Sequence, residues 1–384
     1  MIIKFFSFFF GRINLIVRFI CFVCVMANML VFSVIEDDES QSVTSKKALI
    51  TGIAGQDAAY LAKHLLDLGY TVIGTHRRTS TDASYYFWRL KELGCYEHPR
   101  LSIEVMDITD SISCLNVIRK HSNLNEIYNL AAQSFVKESF NSPTATLDVD
   151  GAGPCNLLNA IFQTNKAIRF YQASTSELFG AVKAIPQTEL TPFNPRSPYS
   201  AAKQYAHSMT VNYRESYGLF ACCGILFNHE SPLRGEEFVS RKIAQAVVKI
   251  KEGTQECLEL GNIDAKRDWG FAGDYVKAMH LMLQQDVADE YVIATGTTNT
   301  VRYFVEKAFE RVGIFIDWEG SAENERALNR DTRAVVVKIN PKFYRPAEVD
   351  LLIGDSTKAK NALGWEPEVS VEQLINMMVD AEIS

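Results

Sequence analysis

Residues 47–58, KALITGIAGQDA, constrain this chain more than any other stretch. KALIT is a short apolar run and reads as a strand. Two glycines three residues apart, Gly52 and Gly55, then break it. From Ala58 onward Leu61, Leu65 and Leu68 recur at helical spacing, and Gly69 ends the pattern. YTVIG at 70–74 reads as a second strand. Strand, helix and strand within about thirty residues predict a βαβ unit with a right-handed crossover.

The alternation continues. Strands are predicted at 101–105, 126–130, 167–172 and 220–226, and helices at 111–121, 151–163 and 199–217. The fold class expected is therefore α/β: a Rossmann-type, doubly wound parallel sheet. After Asn228 the rhythm loosens, although 274–283 and 301–312 still read as helices. Residues 46–228 are expected to form mainly the cofactor-binding domain. Residues 229–384 are expected to form mainly a smaller C-terminal α/β substrate-binding lobe, with segments returning to the first sheet.

Residues 1–45 stand apart. The run 19–35 is almost unbroken apolar sequence, preceded by Lys4, Arg12 and Arg18 and followed by four acids. Its composition suits a leader peptide or a single membrane anchor. An extension from a mis-set start is the third reading, and the segment is left out of the fold argument. Eight cysteines are scattered, and only Cys21 and Cys24 make a C-x-x-C, with no histidine nearby. No metal is expected. The formal net charge of −7 argues against nucleic acid as the main partner, since phosphate backbones need clustered Lys and Arg, but leaves room for a local basic pocket for a phosphorylated small molecule.

The turn Gly52-Ile53-Ala54-Gly55-Gln56-Asp57 suits a pyrophosphate. The first glycine permits the tight turn, and the second lets the backbone approach the anion at a helix N-terminus. Ala58 is small enough for helix–sheet packing. An ordinary glycine-rich connection is the alternative, but the strand–turn–helix context favours a dinucleotide. The second strand runs into His76, Arg77, Arg78, Thr79 and Ser80 and offers no acid for ribose hydroxyls. Two guanidinium groups and two hydroxyls suit a 2′-phosphate instead, which points to NADP. Asp107 and Ile108 suit the adenine. Leu130, Ala131, Ala132, Gln133 and Ser134 suit a wall beside the nicotinamide ribose.

Tyr199 and Lys203 lie four residues apart at a helix start and so share one face. An ammonium beside a phenol is expected to lower its pKa, so that a phenolate can take a proton from a sugar hydroxyl. Upstream, a strand ends in Ser174, Thr175, Ser176 and Glu177. Thr175 can bond the hydroxyl being oxidised. Glu177 adds a carboxylate that plain oxidation does not need. It can remove the C5 proton of a 4-keto sugar and serve the departing C6 hydroxyl. A helix-capping acid is the plainer reading of Glu177.

Several runs go beyond these general patterns: ALITGIAGQD, HRR, FYQASTSELFG, PRSPYSAAK, GILFNHESPLRGEEFVSRKI, LGNIDAKRDWG and YRPAEVDLLIGD. From Lys46 to about Ile383 the chain resembles the GDP-mannose 4,6-dehydratase family of extended short-chain dehydrogenase/reductases. RRTS and SPLRG liken it to the bacterial-type branch. The resemblance implies conversion of GDP-mannose to GDP-4-dehydro-6-deoxymannose, with NADP retained. It implies catalytic Thr175, Glu177 and Tyr199 supported by Lys203. It implies cofactor contacts at Gly52 to Asp57, Arg77, Arg78, Asp107, Leu130, Ser134, His229 and Arg234. It assigns Ser134, Asn228, Lys242, Arg267, Arg345 and Glu348 to the nucleotide sugar. A cytoplasmic homodimer or homotetramer is implied, with a membrane association only through the N-terminal segment. Another nucleotide-sugar epimerase or dehydratase, and an idle NADP-binding protein, are the competing readings. Ala58 for glycine and Asn194 for an aromatic residue depart from the family pattern.

Overall fold

The computed structural model describes residues 45–344 and 351–383, apart from the side chains of residues 83 and 84. The leader, anchor and Cys21/Cys24 expectations lie outside the described residues, as do Arg345 and Glu348. Among the described residues no helix is long and apolar enough to cross a membrane. The six described cysteines are all free thiols.

Six strands open the fold: β1 (Lys47–Thr51), β2 (Thr71–His76), β3 (Leu101–Val105), β4 (Glu126–Asn129), β5 (Arg169–Thr175) and β6 (Ala221–Leu226). Short pieces follow: β7 (Asn228–Glu230), β8 (Leu258–Leu260), β9 (Lys266–Arg267) and β10 (Trp269–Phe271). Then come β11 (Glu290–Ile293), β12 (Asn299–Thr300), β13 (Ile316–Glu319), β14 (Arg326–Asn329) and β15 (Val335–Ile339).

The main sheet has seven strands in the order β11-β6-β5-β4-β1-β2-β3, and every pairing is parallel. The chain moves outward from β1 through β2 to β3, then crosses back to β4. The switch point therefore lies between β1 and β4, where such sheets bind ligands at their carboxyl ends. The sheet is buried because helices cover both faces. Leu61 and Leu65 of the helix Gln56–Asp67 are fully buried, each stabilising the fold by about 1.5–3 kcal/mol. The opposite face packs Leu49, Ile127 and Phe170 against Leu157, Leu158 and Ile161 of the helix Gly153–Thr164.

The loosened rhythm after Asn228 has a structural counterpart. A second sheet, β13-β14-β15-β8, combines antiparallel pairs with one parallel pair. It packs through Val337, Phe304, Val247 and Leu374 into a core of its own. β11 returns to the edge of the main sheet beside β6.

The helix expected at 151–163 differs from expectation at its start. Residues Asp148–Ala152 form a turn of π-helix and the α-helix begins at Gly153. The strand expected at 167–172 is Arg169–Thr175. Its apolar run ends earlier than its backbone pairing, because Ser174 and Thr175 still pair with β6.

Candidate active site

One cavity of about 950 Å³ opens over the carboxyl ends of β1, β4 and β5. Its size suits large organic ligands. Its floor begins at the glycine turn. Gly52 has a φ of +68°, and a Cβ there would stand 2.8 Å from the Ala131 backbone. The turn therefore lies directly against the end of β4. Thr51 fastens it, because its Oγ1 accepts from the Leu130 and Ala131 amides at 3.0 and 2.9 Å. Gly55, with no side chain in the way, stands at the N-terminus of the helix Gln56–Asp67. This backbone cradle fits a pyrophosphate. Ala58 is 1% exposed, so its methyl group is absorbed by the core.

The side chains around that turn are tied to a distant segment. Asp57 Oδ2 lies 2.8 Å from His229 Nε2, and His229 Nδ1 lies 2.7 Å from the Phe227 carbonyl. Nδ1–H thus donates to the backbone while Nε2 faces the carboxylate. Burial pushes the Asp57 carboxyl up, but the charge and hydrogen bond of His229 outweigh it and hold it at about 2. Gln56 donates to the His229 carbonyl and accepts from Ser231. Arg89, which the sequence reading did not single out, donates to the carbonyls of Ala54 and Leu233 at 2.9 and 2.7 Å. An arginine 35 residues from one acceptor and 144 from the other carries no local mark of such a bridge.

Other proposed cofactor residues are spread more widely. Leu130, Ala131, Ala132 and Ser134 line the cavity. Gln133 turns away, with its amide donating to Asp150 at 2.7 Å. Arg77, Arg78 and Ser80 are exposed just beyond β2, Thr79 is half-buried, and the cavity wall resumes at Thr81. Asp107 accepts from the Thr109 amide and hydroxyl. Ile108 is 5% exposed and belongs to the core.

The catalytic candidates converge. The helix Pro198–Tyr217 begins at a capping box in which Ser197 and Ser200 bond each other's amides. This fixes its first turn, and Tyr199 and Lys203 face inward at 8% and 4% exposure. Thr175 ends β5 and its Oγ1 accepts from the Glu177 amide at 3.2 Å. The Thr175 side chain lies near the Tyr199 phenol and opposes the upward push that burial gives it. Glu177 lines the same cavity, half-buried. One helical turn past Lys203, His207 Nδ1 meets Ser174 Oγ at 2.9 Å and anchors the strand end. Burial pushes that imidazole down to about 4, so it stays neutral at pH 7.

The electrostatics correct one expectation. Tyr199 is not drawn towards neutrality. Burial and the charge of Asp150 push the phenol up, with Thr175 opposing them. The Lys203 ammonium donates to the Ala173 carbonyl at 3.2 Å and stands 5.9 Å from the centre of the Tyr199 ring. Burial pushes Lys203 itself down, while Asp150 and Asp57 oppose that. Desolvation acts on both members, whereas spacing along the helix speaks only of their nearness.

On the far side Asn228, His229, Arg234, Lys242 and Arg267 line the cavity. Arg234 pairs with Glu230 at 2.9 Å and lies 3.6 Å over the Phe238 ring. Lys242 donates to the Glu259 carbonyl at 2.7 Å and covers the Phe343 ring at 3.7 Å. Phe343 and Tyr344 line the wall immediately before the segment outside the described residues.

Residues 49–378 match the model of the family described as GDP-mannose 4,6 dehydratase. The chain belongs to the GDP-mannose 4,6-dehydratase family. It is a hydro-lyase: it removes water from the sugar of GDP-mannose, giving the 4-dehydro-6-deoxy product, with a nicotinamide dinucleotide as cofactor. Curated GDP-mannose 4,6-dehydratases are similar over nearly their whole length. The human protein is 52% identical, over 88% of this chain and 91% of its own. That of Sinorhizobium fredii is 50% identical, over 88% and 97%. Animal and bacterial relatives thus stand at nearly equal distance. Solved structures at lower identity share the fold. UDP-glucose 4-epimerase from Thermotoga maritima gives a TM-score of 0.71 at 24% identity, over 87% of this chain and 98% of that one. dTDP-glucose 4,6-dehydratase from Streptomyces venezuelae gives 0.72 at 23%, over 87% and 96%.

Proposed function

We propose that Thr175, Glu177, Tyr199 and Lys203 carry this dehydration, with NADP as the dinucleotide. The reading rests on one observation: Thr175, Glu177, Tyr199 and Lys203 all line one cavity. A bound nicotinamide ring would supply the acceptor, and later the donor, of a hydride. Thr175 orients the sugar 4-hydroxyl, and Tyr199 takes its proton. The 4-ketone makes the C5 proton acidic, and Glu177 removes it as the C6 hydroxyl leaves with a proton. Two protons are taken, one by Tyr199 and one by Glu177. Two are returned, one to the departing water and one to C5, and the hydride taken from C4 would be returned to C6, so the chemistry closes without net oxidation.

Gly52 to Asp57 would hold the pyrophosphate by their backbone, and Leu130, Ala131, Ala132 and Ser134 would flank the nicotinamide ribose. Arg77, Arg78, Thr79 and Ser80, with no acid among them, favour a 2′-phosphate. Asp107 and Ile108 would border the adenine. His229 and Arg234 would serve the dinucleotide, while Lys242 and Arg267 supply the positive charge that a nucleoside diphosphate needs, with Ser134 and Asn228 beside them; Arg345 and Glu348 are assigned to the sugar nucleotide by the family resemblance. Residues 46–228 would thus serve mainly the cofactor and 229–384 mainly the sugar nucleotide, in a homodimer or homotetramer.

Full-length protein with GDP-mannose tests the roles. Tyr199→Phe is expected to lose turnover by about 10²–10⁴-fold. Glu177→Gln is expected to stop after the first oxidation, so that absorbance of reduced dinucleotide appears on mixing. Wild-type turnover in either variant overturns the assignment. Arg78→Ala is expected to weaken NADP far more than NAD, and equal losses would remove the 2′-phosphate argument. Sizing the purified protein tests the assembly.

A further inference from the structure

Residues Asp148–Ala152 wind as one turn of π-helix between the helices Pro143–Leu147 and Gly153–Thr164. A π-turn inserts one residue into α-helical winding, which reorients neighbouring side chains by about 100°, and such turns are frequent beside functional sites. Here Asp150 is 0% exposed, whereas Asp148 on the same turn faces solvent. Gly151 lets the turn press on the catalytic helix: a Cβ there would come within 3.4 Å of the Tyr205 ring and 3.5 Å of the Ala202 carbonyl.

Asp150 Oδ1 accepts from the Gln133 amide at 2.7 Å. Oδ2 is buried and has no hydrogen-bond partner among the described residues. A buried carboxylate so poorly satisfied is costly unless an opposite charge is close. The cation that acts on it is Lys203, and the same carboxylate acts on Tyr199. Three helices pack on the turn. Pro198–Tyr217 brings Lys203, Tyr199 and Tyr205, Gly153–Thr164 brings Cys155, and Pro143–Leu147 brings no titratable side chain.

We propose that Asp150 is a positioning residue of the reaction: a buried counter-charge that keeps Lys203 an ammonium behind Tyr199 and so sets the pH range in which the pair works. This rests on the roles given above to Tyr199 and Lys203. Asp150 makes proton loss harder at both groups. Its removal therefore moves both titrations the same way, towards acid. Burial raises the Asp150 carboxyl to about 6, so below that pH the counter-charge is lost even with Asp150 in place.

The test is the pH profile of kcat for full-length Asp150→Asn, with GDP-mannose and dinucleotide saturating. Asparagine keeps an oxygen for the Gln133 amide and removes only the charge. Both limbs are expected to move to lower pH by about one unit or more, as removal of one buried negative charge acting at an effective dielectric near 20 requires. Below about pH 6 the two profiles are expected to converge. A lower kcat with both limbs in place means mere structural support and overturns the proposal, as do superimposable profiles. Asp150→Ser, read the same way, serves if the asparagine variant does not fold. A second readout is the tyrosinate absorbance that Tyr199→Phe removes, which is expected to titrate lower in Asp150→Asn. Full turnover in Tyr199→Phe would sink the role assignment itself. An inactive Tyr199→Phe with unmoved limbs in Asp150→Asn sinks this inference alone.

Discussion

One turn lines the cavity and another packs on the helix that carries Tyr199 and Lys203, and each holds an aspartate in a poor solvent. The glycine turn brings Asp57 and the π-turn brings Asp150, yet their carboxyls move in opposite directions. Burial pushes both up. Asp57 has His229 at 2.8 Å, and the pair's charge and hydrogen bond bring it to about 2. Asp150 has one amide and a more distant lysine, and it stays near 6. Burial alone therefore decides neither value; contact with a charged donor does. The same contrast holds for the backbone. Gly52 meets backbone atoms of Ala131 that cannot yield, whereas the nearest atom to a Cβ at Gly151 is the end of the Leu147 side chain.

Gly52→Ala tests the rigid turn and has the largest expected effect. A positive φ and a contact at 2.8 Å act together, for a loss of about 3 kcal/mol or more. Chemical denaturation measures it, and a loss under about 1 kcal/mol would show that the turn can relax.

The next effect belongs to Asp150. Its folded pKa lies above the unfolded value, so its favourable contribution is full below about pH 4 and lost as pH rises through about 6. The stability of Asp150→Asn relative to wild type is therefore expected to rise by about 3 kcal/mol between pH 4 and pH 7. A flat difference across that range removes the electrostatic account of the π-turn.

The Asp57–His229 pair has the opposite sign on its acid side. The Asp57 carboxyl is depressed, so its contribution is present above about pH 4 and fades as pH falls towards 2. His229 is raised despite burial, because of Asp57. Its contribution is full below its unfolded pKa of about 6.5 and is lost as pH rises through the folded value. His229→Ala is expected to cost about 2 kcal/mol at pH 6, with the gap closing near pH 2. Melting curves at several pH values would expose a pH-independent loss, which would make His229 a packing residue only. Gly151→Ala is the smallest, within about 1 kcal/mol, because the Leu147 side chain can turn aside. A larger loss would mean that the π-turn is as rigid as the glycine turn.

Legibility in the sequence followed the range of the interaction. The glycine turn and the Tyr199–Lys203 face are each written within a few residues of sequence, and they stand where the spacing predicts. Arg89 gave no such local mark, since its acceptors are the carbonyls of Ala54 and Leu233, supplied by separate segments. Asp57 was legible as part of a phosphate turn but not as the partner of His229, 172 residues away. The π-turn was hidden because nothing in DVDGAG marks a change of helical winding, and the turn packs on Tyr205 and Ala202 of a helix some fifty residues away.

By itself the sequence determined the parallel sheet, the glycine turn and the helix face that Tyr199 and Lys203 share. Periodicity and capping act between near neighbours, so the chain states them openly. Tertiary structure alone decided how those groups are charged. A pKa depends on which distant segments exclude water and which bring a counter-ion. Here the β7 segment and the π-turn, far apart in the chain, settle that for the two ends of one cavity.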